Sequence, residues 1–146
     1  MRLAILIDVE NVGAEMLTQI KSKLAYIKDQ PVIRLYGDFR GNRHTKWVDM
    51  ASKNGFEIIS VLPGRNAADI QLTVHALDLM YRREVEAICI VSRDHGYLPL
   101  AQRLRVGGIE VIAMGVPSQT DMLRAYSKVL QLKAELTAVP SQEKAA

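Results

Sequence analysis

Hydrophobic and polar positions divide this chain into two alternating kinds of segment. Short runs that are wholly or mainly apolar occupy residues 3–7, 32–36, 56–62, 87–91 and 109–114. Runs of this length predict buried strands. Between them, apolar residues recur at helical spacing, which predicts helices over residues 13–28, 45–53, 67–83, 97–105 and 120–126. Residues 129–132 predict one further edge strand.

Strands that alternate with helices predict an α/β fold with three layers, α/β/α, and a mostly parallel central sheet. The first and fourth strands are the most apolar, so we place them side by side at the centre in an order of about 3-2-1-4-5. The third helix is predicted to bury a stripe of Ile70, Val74, Leu77 and Tyr81.

Length and composition agree with one domain, which we place at residues 1–135, followed by a disordered tail at residues 136–146. The net charge of +3 permits an anionic partner without demanding one. Cys89 is the only cysteine and lies within an apolar run, which indicates a buried thiol in a reducing compartment. No segment is long enough to cross a membrane, so we expect a soluble cytoplasmic protein. A homodimer is possible, but no surface is singled out for it.

Acidic side chains are predicted to meet where the strands end. Asp8 closes the first strand, Asp94 follows the fourth, and Asp69 lies in the first turn of the third helix. The carboxyl ends of parallel strands share one edge of the sheet, where open α/β folds bind ligands. Clustered carboxylates predict a hard divalent cation, Mg²⁺ or Mn²⁺, with Asn11 and Ser92 as polar neighbours. Such a cation activates water and polarises a phosphoryl oxygen.

Each acid also has an ordinary structural interpretation. In that interpretation Asp8 caps the following helix, Asp69 is a typical acid of a first helical turn, and Asp94 is a turn residue. The remaining acids, including Glu10 and Asp38, are interpreted as solvated surface. Candidate phosphate-binding residues lie in loops near the same edge, and they are Arg40, Arg43, Arg65 and Arg93. Solvated charge is the alternative for each of them.

Three short motifs resemble one known family. They are Asp8-x-x-Asn11, Asn66-Ala67-Ala68-Asp69 and Ser92-Arg93-Asp94. In this order and spacing the chain resembles the NYN domain, the LabA-like branch of the PIN-like nuclease superfamily. The resemblance implies a PIN-like fold and a ribonuclease that depends on Mg²⁺ or Mn²⁺ and acts on RNA. It also implies that Asp8, Asp69 and Asp94 hold the metal, with Asn11 and Ser92 as companions.

Three positions depart from the family pattern. Gly96 and His75 stand where the family often has further acids, and Arg93 replaces a glycine. A catalytically weakened module that binds RNA or protein is therefore the alternative to a nuclease. His95 is a further candidate acid, base or ligand, although a solvent-facing turn residue is the plainer interpretation. An aspartyl phosphatase with Asp8 as its nucleophile ranks last, because Glu10 stands where a second aspartate is typical.

Overall fold

The computed structural model describes residues 1–64, 66–94, 96–117 and 120–133. Its six strands are β1 (Leu3–Asp8), β2 (Val32–Gly37), β3 (Glu57–Ser60), β4 (Ala87–Val91), β5 (Glu110–Met114) and β6 (Lys128–Leu130). They form one parallel sheet in the order β3-β2-β1-β4-β5-β6. The predicted order is confirmed, and β6 extends it by one edge strand.

Helices cover both faces of this sheet. They are α1 (Leu17–Lys23), α2 (Thr45–Asn54), α3 (Ala67–Tyr81), α4 (Leu98–Val106) and α5 (Thr120–Ala125). Helices α1 and α2 pack on one face, while α3, α4 and α5 pack on the other. The three-layer α/β/α architecture is therefore confirmed. No helix in the described part of the chain is long and apolar enough to cross a membrane.

The central strand β1 is buried on both faces because each face is covered by helices. Leu3, Ile5 and Ile7 contribute to the core beneath α1 and α2, whereas Ala4 and Leu6 contribute to the core beneath α3 and α4. This alternation has the period of two that a strand imposes. Asp8 continues the second set, which directs its side chain to the α3 side of the sheet edge.

Helix α3 packs through a different face from the one predicted. Its buried residues are Ala68, Leu72, Ala76, Leu79 and Met80. Ile70, Val74 and Tyr81 are 60%, 53% and 64% exposed, and Leu77 is only partly buried. The helix carries apolar residues on both sides, so periodicity alone did not identify the buried one. The small side chains of Ala68 and Ala76 allow close approach to the sheet, which the bulkier stripe does not.

Smaller differences concern the ends of elements. The helix predicted over residues 13–28 is a 3₁₀ turn, Ala14–Met16, followed by a shorter α1 that ends at Lys23. Strand β3 covers only Glu57–Ser60 of the predicted residues 56–62. The proposed tail at residues 136–146 lies outside the described residues, so the boundary at residue 135 stays a prediction.

Candidate active site at the carboxyl edge of the sheet

A cavity of about 390 Å³ opens at the carboxyl edge of the sheet. It lies beside the topological switch point of the sheet, between β1 and β4. From this point the strand order runs outward in opposite directions, through β2 to β3 on one side and through β5 to β6 on the other. The acidic and amide side chains that line it are Asp8, Glu10, Asn11, Asp38, Asn66, Asp69 and Asp94. The structure thus brings together the three aspartates that the sequence placed at this edge.

Asp8 is 1% exposed and accepts three hydrogen bonds. Its Oδ1 accepts the amide of Glu10 at 3.1 Å, while its Oδ2 accepts Asn11 Nδ2 at 3.0 Å and the Ser92 hydroxyl at 3.1 Å. Burial raises the pKa of this carboxyl, and the charge of Asp94 adds to the rise, while the Ser92 and Glu10 donors oppose it. These hydrogen bonds fix the orientation of the Asp8 carboxyl, and a cation bound nearby would favour its ionised form.

The turn after β4 is tied to β1 through Asn11. The Asn11 Oδ1 accepts the Arg93 amide at 3.0 Å and lies 3.3 Å from the Ser92 hydroxyl. The Asp94 amide donates to Ser92 Oγ at 3.0 Å, and Asp94 Oδ1 accepts the Gly96 amide at 2.8 Å. These bonds fix Asp94 beside Asp8 through backbone donors, so its position depends little on exposed side chains.

Asp69 reaches the cavity from the first turn of α3. Asn66 precedes that helix in the left-handed conformation, with φ of 60°, which an asparagine tolerates better than most residues. The Tyr97 hydroxyl donates to Asp69 Oδ1 at 3.1 Å. Burial, a hydrogen bond with Asp94 and the charges of Asp94 and Asp8 together raise the pKa of Asp69 to about 6.

Two predicted arginines surround an acid that the sequence analysis assigned to the surface. Asp38 accepts Arg40 through both guanidinium Nε and Nη2 at 2.9 Å, and Arg43 lies 3.7 Å away. These partners lower the pKa of Asp38 to about 2, with the Arg40 hydrogen bond as the main cause. The arginines lie at the rim of the cavity, since Asp38 lines it.

Sequence reasoning missed Glu10 and Asp38 as parts of this cavity, and it missed the hydroxyl of Tyr97. Glu10 accepts the Asp38 amide at 2.8 Å and lies 3.0 Å from His44 Nε2. Asp38 follows β2 at the same edge as the other strand ends, so the rule that found Asp8 would have found it. No comparable pattern announces Tyr97.

The other predicted residues occupy varied places. Arg93 contributes its backbone amide, and its side chain is exposed. Arg65 and His95 lie outside the described residues. His75 does not line the acidic cavity; it lies within hydrogen-bond distance of Tyr36 Oη, at 2.9 Å, and of Gln71, at 2.8 Å.

The loop after β1 is braced from α2. The indole Nε1 of Trp47, which is buried, donates to the carbonyl of Val12 at 2.8 Å. Val12 follows Asn11 directly, so this bond anchors the segment that carries Asn11 to the opposite face of the sheet. The brace is independent of the Ser92 contacts.

The donor chemistry of the cavity suits a hard divalent cation. Asp8, Asp69 and Asp94 offer carboxylate oxygens, and the pKa values of Asp8 and Asp69 are raised partly by neighbouring negative charge. Among the described residues, however, no group of three or more His, Cys, Asp or Glu side chains is arranged to hold a metal ion as it stands. The three aspartates therefore have the ligand chemistry that a divalent cation requires, and they line the same cavity. Their side chains are not already arranged in a coordination geometry.

Fold and site together define a class: a parallel α/β protein with an acidic cavity at its topological switch point. A family profile described as the NYN domain matches residues 2–132, and the chain belongs to this family. The NYN domain family is nuclease-like and related to PIN domains, and these nuclease domains are generally dependent on divalent metals. No curated protein matches the chain.

The solved structures that share the fold include the following two. One is a protein of unknown function from Vibrio parahaemolyticus, with a TM-score of 0.68, 16% identity, and coverage of 90% of this chain and 93% of that one. The other is MurG from Acinetobacter baumannii, with a TM-score of 0.52 and 16% identity. That match covers 99% of this chain but 44% of MurG. At these identities the likeness concerns the fold alone.

Proposed function

We propose that this protein is a ribonuclease that depends on Mg²⁺ or Mn²⁺ and hydrolyses phosphodiester bonds in RNA. The observation that carries the proposal is the convergence of Asp8, Asp69 and Asp94, from three separate elements, on one cavity. Membership of a nuclease-like family supports it. When bound, the divalent cation would supply activation of water and polarisation of the phosphodiester.

The residues of the chain have separable roles in this proposal. Asp8 and Asp94 would hold the cation, because backbone and side-chain donors already fix both carboxylates. Asp69 would complete the set, with the Tyr97 hydroxyl orienting its carboxyl through Oδ1 and the cation taking the place of the hydrogen bond between Asp69 and Asp94. Asn11 and Ser92 would keep Asp8 oriented as charge changes in the cavity.

Basic residues at the rim would bind the phosphates that flank the scissile bond. Arg40 and Arg43 are already gathered by Asp38, and half of each side chain remains exposed. Arg93 projects from the turn that presents Asp94, and Arg65 belongs with this set by its place in the sequence. Contacts of this kind position an RNA backbone without reading its sequence.

The decisive experiment titrates Mg²⁺ and Mn²⁺ into wild type, Asp94→Asn and Asp121→Asn while following cleavage of labelled single-stranded RNA. We expect wild type and Asp121→Asn to cleave and Asp94→Asn to lose both cation binding and cleavage. Asp121 is the control because the same change of charge is made there at an exposed acid in the first turn of α5 that does not line the cavity. Cleavage by wild type that persists in excess chelator would overturn metal dependence.

A second candidate function is a catalytically weakened module that binds RNA or protein. The absence of a preformed ligand group among the described acids favours it, as does Gly96 close to Asp94. This candidate predicts RNA binding with no turnover in either cation. Single-turnover assays at protein concentrations above the RNA dissociation constant separate the two, because slow chemistry would still appear there.

A further inference from the structure

A second groove of about 490 Å³ continues from the acidic cavity along α3. The two share Asn66, Asp69 and Asp94 in their walls, so they form one continuous depression. Away from the shared acids, the groove is bounded by Ile70 and Val74 and their neighbours. Its volume falls within the range of small-molecule sites.

The apolar wall of this groove belongs to the face of α3 that does not pack on the sheet. Ile70 and Val74 are spaced four residues apart, so their side chains are stacked one turn above the other. Both are more than half exposed. Thr73 lies beside them and offers a hydroxyl, while Tyr97 closes the floor with a buried ring. An apolar wall thus begins immediately beside Asp69.

We infer that this groove binds the base of a nucleotide next to the scissile phosphate, so that the base at that position must be unpaired. The inference rests on the proposed function, since it takes the reacting phosphate to lie at the acids. It assigns to Ile70 and Val74 a contact with the face of the base, and to Thr73 and Asn66 the polar contacts with its edge.

Charge and shape favour a base over other occupants. The depression is acidic at one end, so a second phosphate would be repelled there, whereas a neutral base has flat apolar faces that suit aliphatic side chains. The groove also adjoins the acids directly, as the base of an adjacent nucleotide must. A base held in a duplex cannot enter, because its faces are stacked and its edges are paired.

The test compares binding of intact RNA with binding of RNAs that lack one base. A short labelled single-stranded RNA and a series with one abasic site at each successive position are titrated with protein, with Ca²⁺ in place of Mg²⁺. The proteins are wild type, the double variant Ile70→Ala with Val74→Ala, and Val106→Ala. Val106 is the control because it is an exposed aliphatic residue near the end of α4 and does not line the groove.

For wild type and Val106→Ala, we expect an abasic site at one or two positions to weaken binding about tenfold. The double variant should bind intact RNA about tenfold more weakly and be insensitive to the abasic site at those positions, since the two changes remove the same contact. Equal binding of intact and abasic RNAs by wild type would overturn the inference. An equal abasic penalty in the double variant would also overturn it.

Two further measurements distinguish the base site from the proposed ribonuclease activity and from a self-association surface. Cleavage in Mg²⁺ is followed for the same RNAs: base-dependent binding without any cleavage would support the groove and overturn the ribonuclease activity. Sedimentation of wild type and the double variant tests whether the same wall pairs two copies of the chain. A dimer that the double variant dissociates would overturn the base site in favour of a self-association surface.

Discussion

Replacing Asp69 with asparagine is expected to stabilise the protein while abolishing cleavage. Asp69 is forced to share a cavity with Asp8 and Asp94, and burial together with these charges raises its pKa to about 6 from an ordinary value of 3.8. An asparagine keeps the size and the acceptor for the Tyr97 hydroxyl but carries no charge. The variant therefore removes repulsion and keeps the local hydrogen bond.

The direction in which stability changes with pH follows from proton linkage. Between pH 4 and pH 6 the folded protein binds a proton at Asp69 that the unfolded chain has released, so stability falls as pH rises through this window. A difference of roughly 2 pKa units corresponds to about 3 kcal/mol at pH 7, which solvent screening of this half-buried group reduces to roughly 1.5 kcal/mol. Loss of the favourable helix-dipole interaction offsets about 0.5 kcal/mol. The net gain is about 1 kcal/mol, or about 3 °C in Tm.

The assay is thermal unfolding in EDTA at pH 7 and pH 4 for wild type, Asp69→Asn and Asp121→Asn. The last variant loses only the helix-dipole interaction in α5 and should be slightly destabilised. The gain in Asp69→Asn should shrink towards zero at pH 4. Saturating Mg²⁺ should stabilise wild type more than the variant. A variant that is no more stable than wild type at pH 7, or whose gain does not depend on pH, would refute the reasoning.

Three further outcomes are expected. Cleavage at limiting Mg²⁺ should fall as the pH drops below about 6, because protons compete with the cation at Asp69. Saturating Mg²⁺ should restore cleavage at low pH. A pH profile of cleavage that is the same at limiting and saturating Mg²⁺ would contradict this competition. Gly115→Ala should lower the free energy of unfolding, measured in urea, by about 2 kcal/mol and should also lower cleavage. The φ of Gly115 is +112°, and a Cβ at this position would lie 2.7 Å from the Ser92 carbonyl oxygen. An unchanged free energy of unfolding would show that the turn tolerates the added Cβ. Arg43→Ala should reduce the slope of log Kd for single-stranded RNA against log salt concentration by about 0.7. The control Arg82→Ala removes an arginine that is paired with Asp78 on α3, and it should leave this slope unchanged.

The fold was largely predictable because its strongest signals are local. Residues 3–7 and 87–91 are apolar throughout, and a short strand has this pattern when both of its faces are covered. These two runs therefore predicted the two central strands of the sheet. The buried face of α3 was not predictable in this way. Two apolar stripes compete along that helix, and the packed one is set by how closely Ala68 and Ala76 approach the sheet, which is a tertiary property.

The candidate site divides along the same line. Asp8 ends β1 and Asp94 follows β4, which pairs with it, so topology alone brings the two aspartates to one edge. Asp38 obeys the same rule and was nevertheless interpreted as surface, because no motif drew attention to it. The contact between Tyr97 and Asp69 joins residues 28 positions apart, and the packing of α4 against α3 sets its length. Contacts of that kind leave no periodic trace in a sequence.

The bond between Trp47 and the Val12 carbonyl gives this protein an optical reporter. Trp47 is the sole tryptophan, so the ultraviolet emission excited at the red edge of protein absorbance comes from one buried indole. Its ring nitrogen is bonded to the backbone one residue beyond Asn11. Movement of that segment on cation or RNA binding would change the polarity around the indole, so occupancy of the acidic cavity can be followed by fluorescence without an added dye.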